Sequence, residues 1–296
     1  MPHRPFVRTL RAQWLGQQLR SLREDRGLTL QATALHLKRD MSALSRYERG
    51  EWPVGRADVA ALLDLYGFYD AAERERMLRL AEEVWRTDRW SENYGDVVDA
   101  SFIDFPWLES CAELVSSYHT MVVPGLFQLP EYAEIVIRAV EQDDPTDERV
   151  ARWVDLRIGR QRVLDAPTGP RFEAIIDEAA LRRRVGGSSL AADQLRHLGQ
   201  VSRQPRVTIR VLPTDVSVHA GLDGSFWLFR MPRPYPAVAY EQILGGHIDL
   251  ESPKSDRYVR AYDQLRTAAL TPQESAVFIA DLAEEMASSA PPRRLT

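Results

Sequence analysis

LTLQATALHLKRDMSALSRYERG, residues 28–50, decides how the first part of this chain folds. Thr29 ahead of an apolar run is a helix N-cap, and the run to about Leu37 predicts one short helix. Asp40 caps a second, Met41 to Arg49, which Gly50 stops. Two short helices joined by only a few residues have the spacing of a helix-turn-helix, whose second helix enters the major groove of DNA. Ala34 is small enough to let the two helices approach, and Leu35, Leu44 and Tyr47 are the apolar positions expected to hold their angle. Met41, Ser42, Ala43, Ser45, Arg46 and Arg49 are left to face outward. Arg46 suits guanine O6 and N7, and Ser42 suits a base or a phosphate. The plain alternative is a packed helical pair with no ligand.

On the N-terminal side, Leu15, Leu19, Leu22 and Arg23 share one helical face that ends at Gly27. On the C-terminal side a helix over 57–66 carries Val59, Leu62, Leu63 and Tyr66 inward, and a charged helix over 71–86 carries Met77, Leu80, Ala81 and Val84. Five helices with short connections make a bundle. Residues 1–56 hold 11 Lys+Arg against 5 Asp+Glu, a net of +6, although the whole 296-residue chain has a formal charge of −5. A basic head on an acidic body fits a nucleic-acid module joined to a regulatory or assembly domain.

Residues 87–103 are polar with scattered aromatics and read as a linker between residues 1–86 and a second domain over 104–290. In that domain helices are expected near Trp107–Ser117, Glu131–Val140, Thr146–Leu164, Glu178–Arg183 and Ala191–Ser202, with a strand at 172–177. VTIRVLP (207–213), GSFWLFRM (224–231) and AVAYEQI (237–243) read as strands. The Gly- and Pro-rich turns between them, AGLDGS and PRPYP, predict an antiparallel meander. Two helices, about Ser255–Ala268 and Thr271–Ala287, close the chain, and the final SSAPPRRLT is expected to fray. The fold class is therefore mainly α with a C-terminal α+β domain: a five-helix bundle, then helices and an antiparallel β-meander.

Residues 14–67 resemble the Xre/Cro-type repressor helix-turn-helix, most specifically in S-R-Y-E-R-G (45–50), which is similar to the S-R-I-E-x-G close of that family's recognition helix. The resemblance implies a buried ion pair between Arg23 and Glu48, base-reading positions at Met41, Ser42 and Arg46, and phosphate contacts from Arg49 and Arg56. The chain departs from the pattern at three places. Leu30 stands where Gln usually opens the first helix of the pair, with Gln31 beside it as the substitute phosphate ligand. Lys38 replaces the glycine of the turn, either distorting it or adding a phosphate contact. Arg39 replaces an apolar residue.

Residues 100–285 resemble the large domain of unknown function that follows an Xre head in many actinobacterial regulators. The matching stretches include VVPGLFQLPEYAE (122–134), RIGRQRVL (157–164), IDEAALRRRVGG (176–187), HAGLDGSF (219–226) and LTPQES (270–275). The resemblance implies a regulator often paired with a short protein encoded nearby, in an antitoxin-like arrangement.

Read from the residues, the polar landmarks of this domain each have a bland and a functional reading. Arg157, Arg160, Gln161 and Arg162 form either an anion or partner site or a salt-bridged face. Asp177–Glu178 is either an acid pair or a helix cap. Gly186-Gly187 before Ser188-Ser189 is either a phosphate cradle or a turn. His119, His197, His219 and His247 lack metal-ligand spacing, the single Cys111 excludes an internal disulfide, and no nucleotide-binding or nucleophile-elbow motif is present. The expectations are no catalytic residue, no metal and no cofactor. Nor is there an apolar run long enough to span a bilayer.

The leading expectation is a cytoplasmic, sequence-specific DNA-binding transcriptional regulator, not an enzyme. It acts as a homodimer on a near-palindromic operator of double-stranded DNA. Its alternatives are an antitoxin-like module for a small partner protein, or a small-molecule sensor or enzyme domain tethered to a DNA-binding head.

Overall fold

The computed structural model describes residues 6, 8–85, 102, 104–141, 145–243 and 246–289. The chain divides into two compact units, Met1–Phe105 and Pro106–Thr296. The linker expected over 87–103 falls, apart from Phe102, outside the described residues, as does the tail beyond Ser289.

The first unit is built from α1 (Leu10–Asp25), α2 (Leu30–His36), α3 (Met41–Glu48), α4 (Arg56–Leu65) and α5 (Ala71–Trp85). Its helix ends follow local chemistry. The Thr9 and Thr29 hydroxyls accept from the Ala12 and Ala32 amides, satisfying first-turn donors that have no intrahelical partner. Gly27, Gly50 and Gly67 all take positive φ, +65°, +64° and +60°, just beyond α1, α3 and α4, the left-handed exit that glycine adopts without a Cβ clash. Leu15, Leu19, Leu44, Val59, Leu62, Leu63, Met77, Leu80, Ala81 and Val84 are buried.

Leu35 corrects the sequence reading: it is 78% exposed and holds nothing. The inward face of α2 runs through Thr33 and Ala34, with Leu30 and Leu37 half-buried one turn to either side. Helical periodicity carries position 35 away from that stripe.

Helix α6 (Asp104–Cys111) comes next in the chain, and the second unit is built on a six-stranded mixed sheet. The order is β3-β2-β1-β4-β5-β6, with β1 Leu114–His119, β2 Arg171–Asp177, β3 Val207–Leu212, β4 Phe226–Arg230, β5 Val238–Ile243 and β6 Gly246–Glu251. Helices α7 (Pro130–Val140) and α8 (Asp147–Arg160) connect β1 to β2, while α9 (Glu178–Arg182) and α10 (Ser188–Val201) connect β2 to β3. Parallel neighbours need such crossovers. Tyr118, Ile175, Leu212, Phe226, Leu228 and Ala239 form one face of the sheet with Tyr262 and Leu265 of α11 (Asp256–Ala268).

Two expectations are corrected here. The helix expected over 107–117 ends at Cys111, and its second half is β1. Residues 207–213 do not lead the meander: β3 pairs in parallel with β2, from Phe172↔Val207 to Asp177↔Leu212, at the far edge of the sheet. The antiparallel meander is β4-β5-β6, and its last strand was not anticipated. The outer edge of β3 is partly closed by the entry to α12 (Pro272–Ser288), where the Val211 amide donates to Ser275 Oγ and the Leu270 amide to the Val211 carbonyl.

Candidate nucleic-acid interface

Helix α3 is set against α1 by a close backbone approach. A Cβ at Gly16 would lie 2.4 Å from the Tyr47 carbonyl oxygen, and one at Gly50 2.6 Å from the Gln13 amide nitrogen. A buried ion pair from the last turn of α1 to Glu48 adds a third tie between the two helices. Arg23 Nε and Nη2 donate to the two carboxylate oxygens of Glu48 at 2.6 and 2.9 Å, and Arg23 Nη1 donates to the Leu28 carbonyl at 2.8 Å. The hydrogen bond to Glu48 raises the Arg23 pKa further. With Leu44, Tyr47 and Glu48 turned inward, helical geometry leaves Met41, Ser42, Arg46 and Arg49 exposed and Ala43 and Ser45 half-buried.

The arginines around α3 are not equivalent. Arg49 donates to the Ser45 hydroxyl and to Glu51, 2.8 Å away, and this bond holds the Glu51 carboxyl below its ordinary range. Arg39 pairs with Asp58 at 3.2 Å. Arg56 is held by both Glu75 and Glu82 of α5, at 3.3 and 3.0 Å. Arg46 is held differently: its Nε donates to the Ser42 carbonyl at 3.3 Å, its guanidinium carbon lies 5.1 Å from the centre of the Trp52 ring, and the Glu51 carboxylate feels its charge at longer range. Trp52 was missed in the sequence. The signal available was a tryptophan two residues past the helix stop, in a loop where an aromatic has no core to fill.

The turn keeps its shape without glycine. Lys38 adopts φ +53°, the only non-glycine residue among those described to do so, and its side chain is exposed. Gln31 is exposed on the first turn of α2. Asp40 occupies the N-cap of α3 without a side-chain cap bond.

In the second unit most of the polar landmarks serve the fold. Arg160 forms a two-pronged pair with buried Glu109 at 2.8 and 2.9 Å, Gln161 donates to the Gln128 carbonyl, and Arg157 donates to Gln128 Oε1. Asp177 caps α9 through the Ala179 amide and accepts from the Tyr118 hydroxyl, while Glu178 accepts from Thr214 and Arg182. Gly187, at φ +89°, is the N-cap of α10. No group of three or more metal-binding side chains gathers among the described residues, and no helix among them is long and apolar enough to cross a membrane.

Comparison with protein families matches residues 14–77 to a helix-turn-helix domain and residues 102–281, more than half of the chain, to a domain of unknown function (DUF5753). Neither the curated proteins nor the solved structures give a match.

Proposed function

The chain belongs to the family defined by the domain of unknown function DUF5753 and carries a helix-turn-helix DNA-binding domain ahead of it; on that premise we propose that it is a sequence-specific transcriptional regulator of Xre/Cro type. Helix α3 is the reading element, with Met41, Ser42 and Arg46 toward base edges and Ala43 and Ser45 beside them. Arg49, Lys38 and Gln31 face phosphates, and Arg56 joins them by exchanging its carboxylate partners for the DNA backbone. The observation that carries this reading is the outward face of α3: the buried Arg23–Glu48 pair on its inner side turns Ser42 and Arg46 to solvent.

One such head touches few bases, so the proposed active species is a homodimer on a near-palindromic operator. Its half-sites are centred about one helical turn, roughly 34 Å, apart. The second unit then has an assembly, partner-binding or effector-sensing role, not a catalytic one. Its acid pair and the side chains of Arg157, Arg160 and Gln161 are supportive of that, being engaged in a cap and internal hydrogen bonds.

The test is selection of bound duplexes from a random library with the full chain, followed by Arg46→Ala. We expect an enriched near-palindrome and a loss of about 1–3 kcal/mol of discrimination at one base pair in each half-site. Enrichment of nothing, or unchanged discrimination in Arg46→Ala, refutes the reading.

A further inference from the structure

We propose that Trp52 is a specificity-determining residue: its ring pins Arg46 so that the guanidinium presents its two terminal nitrogens as a prealigned fork for one guanine in each half-site. This rests on the DNA-reading role given to α3 above.

Arg46 is held by two contacts to neutral groups, with the Glu51 carboxylate acting on it only at longer range. A carboxylate partner would have to be stripped away before the side chain met a base, as Arg39, Arg49 and Arg56 would require. The Ser42 carbonyl takes only the Nε proton. The π-face of Trp52 attracts the cation through its quadrupole without consuming an N–H. What remains is the Nη1–Nη2 edge, the pair of donors that matches guanine O6 and N7. A free arginine carries about 2 kcal/mol of rotamer entropy; a side chain already held at Nε and across its plane loses less of it on binding.

The platform is itself fixed. Gly50 leaves α3 at φ +64° against the α1 backbone. Pro53 restricts the residue before it, and Val54 is buried, its carbonyl accepting from Trp85 Nε1 at 3.3 Å. Trp52 thus stands on a short constrained loop while remaining 50% exposed. An exposed indole between a glutamate and a proline fills no core, and the guanidinium of Arg46 lies over its ring.

The experiment runs the random-duplex selection in parallel with the full-length wild type and with Arg46→Ala, Trp52→Ala, Trp52→Phe and the Arg46→Ala/Trp52→Ala pair. Affinities are then measured on the selected duplex with the guanine intact or replaced by 7-deazaguanine, which lacks the N7 acceptor. We expect Arg46→Ala to lower the preference for guanine at one position about tenfold. Trp52→Ala should lower it about two- to fivefold at the same position, and Trp52→Phe should retain most of it. The double variant should match Arg46→Ala alone, because the ring acts through the arginine. 7-Deazaguanine should weaken wild type and leave Arg46→Ala indifferent. Salt dependence and thermal midpoint should stay unchanged in Trp52→Ala, excluding loss of a phosphate contact or of fold.

A wild type that selects a sequence while Trp52→Ala keeps full guanine preference overturns this inference and leaves the regulator reading standing. So does a Trp52→Ala that weakens all duplexes alike with a shallower salt slope. A wild type that selects nothing overturns both.

Discussion

Removing either partner of the Arg23–Glu48 pair should unfold the helix-turn-helix far more than removing both. The two side chains are 9% and 5% exposed and share two short charge-assisted bonds. Glu48→Gln leaves a buried guanidinium with only the longer, half-exposed contact to Glu24 at 3.3 Å, and Arg23→Met leaves the Glu48 carboxylate buried without its counter-charge. Each change should destabilise the first unit by about 3–5 kcal/mol. Arg23→Met falls at the upper end because it also orphans the Leu28 carbonyl, which accepts from Nη1 at the entry to α2, a loss of about 1–3 kcal/mol. The double variant Arg23→Met/Glu48→Leu buries no charge, so it should recover most of that deficit, giving a coupling of roughly 4 kcal/mol or more between the sites. Because the chain has two units, a single unfolding curve does not assign the loss. Hydrogen exchange of peptides from α1 and α3 does, with opening in the single variants favoured about a hundredfold or more (1.4 kcal/mol per factor of ten). Single losses below about 1 kcal/mol that simply add would show that the pair does not hold α3. DNA affinity of the stable double variant then separates two roles: recovery means the pair acts through stability alone, and persistent loss means the charges also set the rotation of the reading face.

Lys38→Gly should stabilise the first unit by about 0.5–1 kcal/mol, since glycine accepts φ +53° without the Cβ clash; a fall in thermal midpoint would contradict this. If Lys38 also meets a phosphate, the same variant lowers the salt slope of DNA binding by about one. Gly16→Ala should destabilise toward the upper part of the roughly 1–3 kcal/mol overpacking range, outweighing the ~1 kcal/mol helix-propensity gain. The new methyl would meet a backbone carbonyl at 2.4 Å, and α3 must shift, so operator affinity should fall with stability. In the second unit, burial pushes the His119 pKa down to about 3, against about 6.5 when unfolded. The unfolded chain therefore binds a proton that the folded one refuses, and stability is lost as pH falls from about 6.5 toward 3. By pH 5 the loss is about 2 kcal/mol. Urea midpoints from pH 7 to 5 should fall less steeply in His119→Leu than in wild type; His197, also lowered by burial, contributes equally to both, so equal slopes would sink the assignment.

The helix-turn-helix was legible because everything that makes it is local. Thr29, Gly27 and Gly50 act on their own helix ends, and Ala34, Leu44 and Tyr47 reach inward across connections of a few residues. Leu35 was misread because apolar character alone was taken as burial; in a seven-residue helix the stripe through Thr33 and Ala34 leaves no room for it. The order of the sheet was not legible for the opposite reason. β1, LVSSYH, is buried at all six positions between β2 and β4, so it shows no alternation of apolar and polar residues. Ser116, Ser117 and His119 disguise it as the end of a helix. Likewise VTIRVL followed by a glycine-rich turn has the local signature of a hairpin strand, yet its partner is β2, reached through α9 and α10, and nothing local distinguishes that parallel pairing from an antiparallel one.

The same contrast explains what was missed at the reading face. Which arginines stand near α3 follows from helical periodicity, but which of them are free to meet a base depends on carboxylates brought from elsewhere: Asp58 to Arg39, and Glu75 and Glu82 to Arg56. α4 and α5 thus screen the flank of the reading helix, while Arg46, stacked on neutral Trp52, keeps its charge. Neutralising the flank should therefore broaden the contact surface without changing the base read. Glu75→Gln/Glu82→Gln is expected to release Arg56, tighten binding to all duplexes, and steepen the salt slope by about one phosphate contact. Guanine preference should stay where Arg46 sets it; a shift in the selected sequence would mean that the acidic flank, and not the Arg46–Trp52 stack, governs what α3 reads.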